Sequence, residues 1–365
     1  MKVVIGICGI GMGHAIRQTP VINFLLNQGA QIIVFSFGEA LRYIKKTFPQ
    51  IPSFDVFVPF IATNKFGVLY EKTAQHSINQ SVFFYEHNFG IMQKAFDIFK
   101  GKPDFIVSDY EPVSAQFSYT TNSKLITLDQ QSKFLMGFFP DIGQYGHKEE
   151  ADRLRLFFPK ADKRYATSFF KVSQGKKEMD VTIIPSFVRK EIEELRVLRS
   201  KEKEKDGILV YFSSFMPMKQ SSEEIISILA KIKENFTIFT SQPSFLKFKG
   251  NLPKNIEIFE STTTTFITKL SKVKAVISTG GHNFLSELMF LNVPVYVCPL
   301  ANYEQHYSAK IVHDNSFGIA SEFIKQDLLN TFIENIDVFQ QNIVKDTNVL
   351  YKESGVSLLK EILLQ

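Results

Sequence analysis

The stretch Val276-Ile277-Ser278-Thr279-Gly280-Gly281-His282-Asn283-Phe284-Leu285-Ser286-Glu287-Leu288-Met289 predicts a buried strand, a glycine turn and a helix. Its start is short, apolar and β-branched, as in strands buried in a parallel sheet. The glycine pair allows a sharp turn and a close approach of the backbone to a ligand. Free N–H groups at the helix start favour an anion such as phosphate. The stretch therefore predicts an α/β fold in which this turn binds a phosphorylated ligand.

The predicted helix carries two polar side chains on one face. Asn283 and Glu287 are four residues apart and therefore lie on the same side of the helix. Glu287 lies about 9 Å along the axis from Gly281, at 1.5 Å per residue. A diphosphate at the helix start would place an attached ribose near Glu287, whose carboxylate can accept hydrogen bonds from two hydroxyls. The alternative is a glutamate exposed to solvent on a helix face.

A second strand, Val293 to Val297, follows and ends at Pro299 before the polar pair Glu304 and Gln305. A carboxylate beside an amide can bracket sugar hydroxyls. Consecutive parallel strands place such turns side by side at the edge where open α/β sheets bind ligands. The alternative for this pair is a helix N-terminal turn, where glutamate is favoured by the helix dipole.

Gly281-x5-Glu287, a strand containing proline and the pair Glu304-Gln305 together resemble the donor signature of nucleotide-sugar glycosyltransferases with the GT-B architecture. The pattern is similar to UDP-glycosyltransferases and to glycosyltransferase family 28, which includes the lipid II-forming N-acetylglucosaminyltransferases. The resemblance implies an α/β protein of two Rossmann-like domains facing a cleft, with the UDP-sugar held by the second domain. Related sequences often carry His or Arg where this chain has Thr279, which affects one diphosphate contact.

The N-terminus also predicts a strand, a glycine turn and a helix. The alternating glycines at 9, 11 and 13 differ from G-x-G-x-x-G, and no acidic residue ends the second strand, so the sequence supports NAD only weakly. Gly11-Met12-Gly13-His14-x-x-Arg17 instead resembles the first loop of the same glycosyltransferases. That loop faces the acceptor and in several members carries the catalytic histidine. The resemblance implies acceptor contacts from Gly11, Gly13 and Arg17.

His14 is the candidate general base, because a histidine pKa lies near neutrality. Two alternatives are an acceptor contact without base chemistry and a structural hydrogen bond at the helix start. Asp109 and Glu111 follow the strand Phe105 to Val107, where related glycosyltransferases often carry an acidic residue. Asp109 could orient His14, with a strand-end turn as the alternative. Glu111 is the second candidate for that role, and we also expect it to contact the acceptor.

Further polar groups complete the expected donor site. Ser213 and Ser214 end the first strand of the second domain and could donate to phosphate; an ordinary polar turn is the alternative. Gly280, Gly281, His282 and Asn283 form the expected diphosphate cradle, with a plain tight turn as the alternative. The histidines lack the spacing of metal ligands. We therefore expect no metal and no cofactor besides the UDP-sugar, which is a substrate.

Composition sets the broad class of protein. The 365 residues suffice for two domains, and 44% of them are hydrophobic. A net charge of +5 is too mild to predict nucleic acid binding. No stretch of about 18 apolar residues predicts a membrane span. The N-terminus is typical of a strand rather than a signal peptide, and two cysteines make no disulfide framework. We expect a cytoplasmic protein, with peripheral contact at the inner face of the membrane left open.

The chain divides into four predicted segments. These are an acceptor-binding Rossmann-like domain (1–190), a linker (191–206), a nucleotide-sugar-binding Rossmann-like domain (207–340) and a C-terminal helical segment (341–365) that packs back on the first domain. Mixed charges at 201–205 support the linker. The apolar run Phe134 to Phe139 is interpreted as core, with membrane or lipid contact as the alternative. Phe83, Phe84, Phe89, Phe96 and Phe99 are predicted core residues of a helical region.

The sequence therefore predicts an inverting, metal-independent glycosyltransferase that moves a sugar from a UDP-sugar to an acceptor hydroxyl. The expected acceptor is a sugar, a lipid-linked molecule or a small molecule. Two alternatives remain. One is a UDP-N-acetylglucosamine epimerase of the same architecture, which would convert the donor without an acceptor. The other is a non-catalytic nucleotide-sugar-binding protein, for which Thr279 in place of a basic residue gives mild support.

Overall fold

A computed structural model describes residues 1–58, 62–64, 67–158, 160–173, 180–201, 205–212, 218–260 and 263–364. It contains two large parallel sheets with helices between the strands. This arrangement confirms the predicted α/β class with two Rossmann-like halves.

The first half of the chain forms the first sheet. Its strands are β1 (Lys2–Ile7), β2 (Gln31–Ser36), β3 (Ser53–Asp55), β4 (Thr63–Asn64), β5 (Gly67–Val68), β6 (Phe105–Asp109), β7 (Lys124–Asp129), β8 (Lys163–Ser168) and β9 (Thr182–Pro185). Seven of them make a parallel sheet in the order β3-β2-β1-β6-β7-β8-β9, and β4 pairs with β5 as a separate antiparallel ribbon. The helices are α1 (Gly13–Asn27), α2 (Gly38–Thr47), α3 (Tyr70–Phe99), α4 (Pro112–Thr121), α5 (Lys148–Phe157) and α6 (Lys190–Lys201), with a 3₁₀ turn at Ser132–Leu135.

The second half forms a six-stranded parallel sheet. Its strands are β10 (Ile208–Tyr211), β11 (Phe236–Thr240), β12 (Ile256–Glu260), β13 (Ala275–Ser278), β14 (Val295–Val297) and β15 (Gly318–Ala320), in the order β12-β11-β10-β13-β14-β15. The helices are α7 (Ser222–Leu229), α8 (Pro243–Leu246), α9 (Thr263–Leu270), α10 (His282–Phe290), α11 (Tyr303–Asp314), α12 (Gln326–Glu334), α13 (Ile336–Lys345), α14 (Val349–Lys352) and α15 (Leu359–Leu364), with a 3₁₀ turn at Gly355–Leu358.

The strand order places the functional loops. In the first sheet the order reverses between β1 and β6, and in the second it reverses between β10 and β13. Open α/β sheets bind ligands at such switch points, outside the carboxyl ends of the strands. The loops entering α1 and α10 leave their sheets at these two points. They are therefore the parts of each half that a ligand in the cleft would meet.

The chain ends on the half where it began. Leu359, Ile362 and Leu363 are buried in the same core as Val3 and Ile5. Close to this contact, the backbone of Ser186 is hydrogen-bonded to Leu350 and Gly355. The C-terminal segment is thus part of the first domain's apolar core.

Aromatic side chains fill the contact between the two halves. Phe134 and Phe139 are buried and stack edge-on against Tyr303 and Tyr307 of α11. The interpretation of this apolar run as core is confirmed for these two residues, because the second domain covers them. Phe138, by contrast, is 75% exposed.

The predicted core residues of α3 need correction. Phe99 is buried as predicted, but Phe83, Phe89 and Phe96 are exposed. The cause is that a helix lying on a sheet buries only one stripe, and Ile91, with its buried neighbours on α3, occupies it. None of the helices in the described ranges has the length and apolar character needed to cross a membrane.

Candidate active site

His14 and Asp109 meet because their strands are neighbours. β1 and β6 pair in parallel with Ile7 opposite Asp109, so the loop that follows β1 lies beside the end of β6. The Cys8 amide donates a hydrogen bond to the Asp109 carbonyl at 3.0 Å, and this bond fixes the loop. His14 then begins the first turn of α1, and its Nδ1 lies 2.8 Å from Asp109 Oδ1. A carboxylate beside Nδ1 favours the tautomer in which Nδ1 donates, and Arg17 Nη2 also lies 2.9 Å from this nitrogen.

Asp109 is the hub of a buried hydrogen-bond network. Arg17 Nε and Nη2 donate to its two oxygens, at 2.9 and 2.6 Å, and Gln18 Nε2 donates at 2.9 Å. Burial alone would raise the pKa of Asp109, but Arg17 and His14 outweigh it and lower that pKa to about 2. Asp109 is therefore a carboxylate at every physiological pH.

The pKa of His14 is shifted in the opposite direction. Burial would lower the pKa of His14, but Cys8 and Asp109 outweigh it and raise that pKa to about 10. The ring also stacks on Tyr110, with ring centroids 6.4 Å apart. Tyr110 has a left-handed backbone, with φ at 55°, a conformation that is uncommon for a residue other than glycine. An uncommon backbone conformation directly beside the histidine is typical of functional sites.

Glu111 caps a helix. Its oxygens accept hydrogen bonds from the Val113 and Ser114 amides, both at 2.7 Å, at the start of α4. The side chain is fully buried, and burial raises its pKa to about 7. Glu111 is therefore the N-cap of α4, and its contact with the acceptor and its support of His14 stay predictions.

The glycine pair before α10 forms a tight turn. A Cβ at Gly280 would lie 2.5 Å from the Gln305 carbonyl, so only glycine fits there. Gln305 Oε1 accepts from the amides of Gly280 and Leu300, both at 3.0 Å. Gly281 is the N-cap of α10 and makes no side-chain cap, and a Cβ there would meet nothing within 4 Å. The helix start is thus open on the side of Gly281, with Gln305 bracing the turn.

Two hydrogen bonds join the first turn of this helix to α1 of the first domain. Arg17 Nη1 donates to Asn283 Oδ1 at 2.8 Å, and Asn283 Nδ2 donates to the Gly13 carbonyl at 2.6 Å. The histidine loop and the glycine turn, which lie 270 residues apart in sequence at this contact, therefore form one site. Gly11, with φ at 67° and open space at its Cβ position, lies at the rim of the same loop.

Glu287 has a partner that the sequence pattern did not reveal. Arg189 Nε and Nη2 donate to its two carboxylate oxygens, at 2.7 and 2.8 Å. Both side chains are largely buried. Burial opposes the charge on Arg189, but Glu287 outweighs it and raises the pKa of Arg189. A ribose bound by Glu287 would have to share this carboxylate with Arg189 or displace it.

His282 and Glu304 lie at the face between the domains. His282 is 2% exposed and packs against Phe169, and within the described ranges neither ring nitrogen has a hydrogen-bond partner. Burial, then Lys133 and Arg17, lower the pKa of His282 well below its usual range, so the ring is neutral. Burial lowers the pKa of Lys133 to about 7, and Glu304 on α11 opposes that shift. Glu304 therefore faces the first domain.

The structure thus gathers most of the expected site around the two switch points. His14, Arg17, Asp109 and Asn283 are hydrogen-bonded to one another directly or through one residue. Ser213 and Ser214 lie outside the described residues. Within the described residues, no group of three or more His, Cys, Asp or Glu side chains could hold a metal ion.

Three residues of the site were missed by sequence reasoning. Arg189 follows the last strand of the first sheet, and this position at a strand end was the available signal. Lys133 is a lone lysine in an apolar run, and such a lysine is rarely buried without a partner. Gln18 gave no signal, because its partner Asp109 is fixed only by the fold.

Comparison with known proteins places the chain in a family. The family described as glycosyl transferase family 1 matches residues 1–337. No curated protein sequence matches the chain. MurG of Acinetobacter baumannii has a similar structure, with 12% identity, a TM-score of 0.61 and 100% of each chain covered. A Polygonum tinctorium UDP-glucosyltransferase gives 14% identity and a TM-score of 0.66, with 99% of this chain and 97% of that chain covered.

A third similar structure is the glycosyltransferase VinC in complex with dTDP. It has 12% identity and a TM-score of 0.64, and the match covers 100% of this chain and 99% of that chain. At these identities the structural likeness establishes the fold, which is GT-B. The assignment of glycosyltransferase activity rests on the family match, which covers 337 of the 365 residues. The chain therefore belongs to glycosyl transferase family 1 and is a glycosyltransferase of GT-B architecture.

Proposed function

We propose that the enzyme transfers a sugar from a UDP-sugar to an acceptor hydroxyl with inversion at the anomeric carbon. The observation that carries the proposal is the 2.8 Å contact between His14 and Asp109, which Arg17 and Asn283 link to the start of α10. A base on one side of a sugar and a leaving-group site on the other are what direct displacement needs. His14 is the base and Asp109 fixes its orientation.

The donor half of the site is the second domain. The first amides of α10 and the turn at Gly281 hold the diphosphate, because a helix N-terminus offers free N–H groups and partial positive charge. Glu287 accepts hydrogen bonds from the ribose. Arg189 then shares the carboxylate with the ribose, or its side chain moves away from Glu287. These fixed donors stabilise the charge that develops on the leaving diphosphate, so the proposal includes neither a metal ion nor a cofactor.

His14 takes up one proton in the reaction. Asp109 holds Nδ1, which makes Nε2 the atom that accepts the acceptor's hydroxyl proton. The acceptor oxygen forms a bond to the anomeric carbon while the bond from that carbon to the UDP oxygen breaks. UDP leaves with the electron pair. Since the pKa of His14 is raised to about 10, the ring must first lose a proton, and activity depends on the neutral fraction.

The donor sugar and the acceptor occupy the two faces of the cleft. Glu304 and Gln305, at the start of α11, contact the sugar hydroxyls; Gln305 Oε1 already braces the glycine turn, so its amide nitrogen is the group offered to the sugar. Gly11 and Gly13 leave room for the acceptor. A lipid-linked acceptor is favoured by the exposed aromatic residues of α3, with Tyr85 78% and Phe89 64% exposed. Sedimentation with anionic vesicles, wild type against Tyr85→Ser/Phe89→Ser, tests this choice, and equal sedimentation speaks for a soluble acceptor.

The experiment that tests the function is a calorimetric titration with UDP, dTDP, GDP and NAD in the presence of EDTA. We expect UDP to bind most tightly, because the Gly281–Glu287 pattern resembles UDP-dependent enzymes. Incubation of UDP-sugars with sugar, lipid-linked and phenolic acceptors should then release UDP. Binding of NAD alone, or no binding of any nucleotide, overturns the donor site. Conversion of a UDP-sugar to its epimer without an acceptor overturns transfer.

A further inference from the structure

The start of α10 has little positive charge of its own. From Thr279 to Asn283 no side chain is permanently charged, and His282, the one titratable group there, has a pKa held well below its usual range by burial and by nearby cations. The helix itself offers roughly half a positive charge. The diphosphate of a UDP-sugar carries about two negative charges, and it gains a third when the bond to the sugar breaks. The helix start alone leaves most of this charge unbalanced.

The first domain brings a cation to this point. Arg17 is 4% exposed, and its Nη1 donates to Asn283 in the first turn of α10 at 2.8 Å. Its Nε and Nη2 are engaged by Asp109. Burial opposes the charge of Arg17, but Asp109 outweighs it and raises the pKa of Arg17, so the guanidinium stays protonated. A guanidinium carries five N–H donors, and these contacts do not use all of them.

Arg17 is the permanent cation at this point. Lys133 also lowers the pKa of His282, but burial lowers the pKa of Lys133 itself to about 7, so Lys133 is only partly protonated at neutral pH. His282 is 2% exposed, and neither of its ring nitrogens has a hydrogen-bond partner among the residues that the structure describes. Leaving such a polar group buried and unpaired costs free energy, which points to a polar ligand at this helix start. The position therefore lies between the Arg17 guanidinium of one domain and the backbone donors of the other.

We propose that Arg17 of the first domain binds the diphosphate held at the start of α10 in the second domain, and supplies the cation that Thr279 does not. This inference rests on the proposed function. As the acceptor oxygen attacks, the electron pair of the breaking bond passes to the β-phosphate oxygen, and Arg17 balances the new charge. The proton passes to His14. The group of Arg17, Asp109 and His14 thus gains one positive charge as the diphosphate gains one negative charge.

The consequence is that diphosphate binding depends on closure of the cleft. Arg17 belongs to α1 and reaches α10 only through the interdomain contact with Asn283. Opening of the cleft moves Arg17 away from the diphosphate and weakens UDP binding. Release of the product UDP is therefore coupled to opening of the cleft. The affinity for a nucleoside without phosphates should not depend on Arg17.

The test compares UDP, uridine and inorganic pyrophosphate by titration calorimetry. The variants are Arg17→Gln and Arg17→Gln/Asp109→Asn; the double variant avoids leaving the Asp109 carboxylate buried without its partner. We expect UDP and pyrophosphate to bind about ten- to a hundredfold more weakly in both variants, the effect of one charge-assisted contact. Uridine affinity should stay unchanged. Gln18→Leu is the matched comparison, because it removes another hydrogen bond to Asp109 without removing a charge, and it should lose clearly less UDP affinity than Arg17→Gln.

The outcomes are separable. If the wild type binds UDP and both Arg17 variants bind it equally well, Arg17 only orients Asp109, and the inference is wrong while the proposed function stands. If Gln18→Leu loses as much affinity as Arg17→Gln, the loss comes from a disturbed Asp109 and the inference is again wrong. If the wild type binds neither UDP nor pyrophosphate, the donor site itself fails, and the proposed function falls with the inference.

Discussion

Arg189, beside the first passage of the chain between the domains, donates to both carboxylate oxygens of Glu287, at 2.7 and 2.8 Å. The pair is largely buried, so each charge depends on the other for its solvation. Glu287 is also the residue proposed to bind the ribose of the donor. One carboxylate thus combines a structural role with the proposed binding role, and we expect a single substitution to disturb both.

We predict that Glu287→Ala weakens UDP binding and also lowers the free energy of unfolding by about 3–5 kcal/mol, because it leaves the Arg189 charge buried and unpaired. Titration calorimetry at 15 °C and urea unfolding measure the two effects separately. The control is Arg189→Met/Glu287→Met, which removes both charges together. It should regain most of the stability and remain deficient in UDP binding. UDP binding that returns with the stability would remove Glu287 from the donor site.

The pH dependence of transfer should report His14. The base is active when neutral and its pKa is raised, so kcat/KM should rise with pH through an apparent pKa above the usual histidine range. Asp109→Asn removes the charge that favours the protonated ring. It should shift this rise to lower pH and reduce kcat about 10²- to 10⁴-fold. A profile whose rising limb does not move in Asp109→Asn would separate His14 from Asp109.

The same ionisation affects stability, with a defined sign. The folded pKa of His14, about 10, exceeds the ordinary value of 6.5, so the protonated ring stabilises the fold. That contribution is complete below about pH 6.5 and is lost as the pH rises through about 10. Urea unfolding of the wild type and His14→Gln across this range should show a difference that shrinks with rising pH. A difference that grows with pH contradicts the assignment.

Glu111 should prove structural. Glu111→Ala removes the acceptors for the Val113 and Ser114 amides, and loss of an N-cap costs about 0.5–2 kcal/mol. Glu111→Gln keeps one acceptor oxygen and should cost less. Urea unfolding ranks the two variants. The KM for the acceptor in Glu111→Gln should equal that of the wild type. A large rise in that KM without loss of stability would instead support a contact between Glu111 and the acceptor.

Gln305 should support the glycine turn as well as the sugar. Gln305→Leu leaves the Gly280 and Leu300 amides without their shared acceptor, at a cost of about 1–3 kcal/mol for an unsatisfied buried donor. Gln305→Glu keeps an oxygen at this position and loses the amide donor. Thermal unfolding should therefore distinguish the leucine variant, while donor-sugar KM should rise in both. An unchanged KM in Gln305→Glu would limit this residue to its structural role.

The sequence predicted those parts of the fold that local patterns determine. The run Val276 to Met289 forms β13 and α10, because a buried apolar strand, a glycine turn and an amphipathic helix each have their own local signal. β8 and β15 were missed. β8 begins with Lys163 and Arg164, and β15 has only three residues at the sheet edge, so neither shows an apolar run. A strand of this kind is stabilised by its neighbours rather than by its own composition.

The candidate site was also predictable from sequence only in part. His14 and Asp109 could be brought together from sequence, because each follows a strand and neighbouring parallel strands end at one edge. The Arg189–Glu287 pair joins residues 98 positions apart, and no spacing rule predicts it. The exposed phenylalanines of α3 show the converse: hydrophobicity predicts burial only where the fold has room on the buried face.

The return of the chain to the first domain has a consequence for its integrity. The polypeptide passes between the halves twice, once after Pro185 and once before α14, and the passages are hydrogen-bonded to each other at Ser186. A single proteolytic cut in the charged run 201–205 would therefore leave two fragments clasped together, since Leu359 to Leu363 stay anchored in the opposite core. Such a nicked enzyme should elute from a sizing column as one particle and come apart only in denaturant.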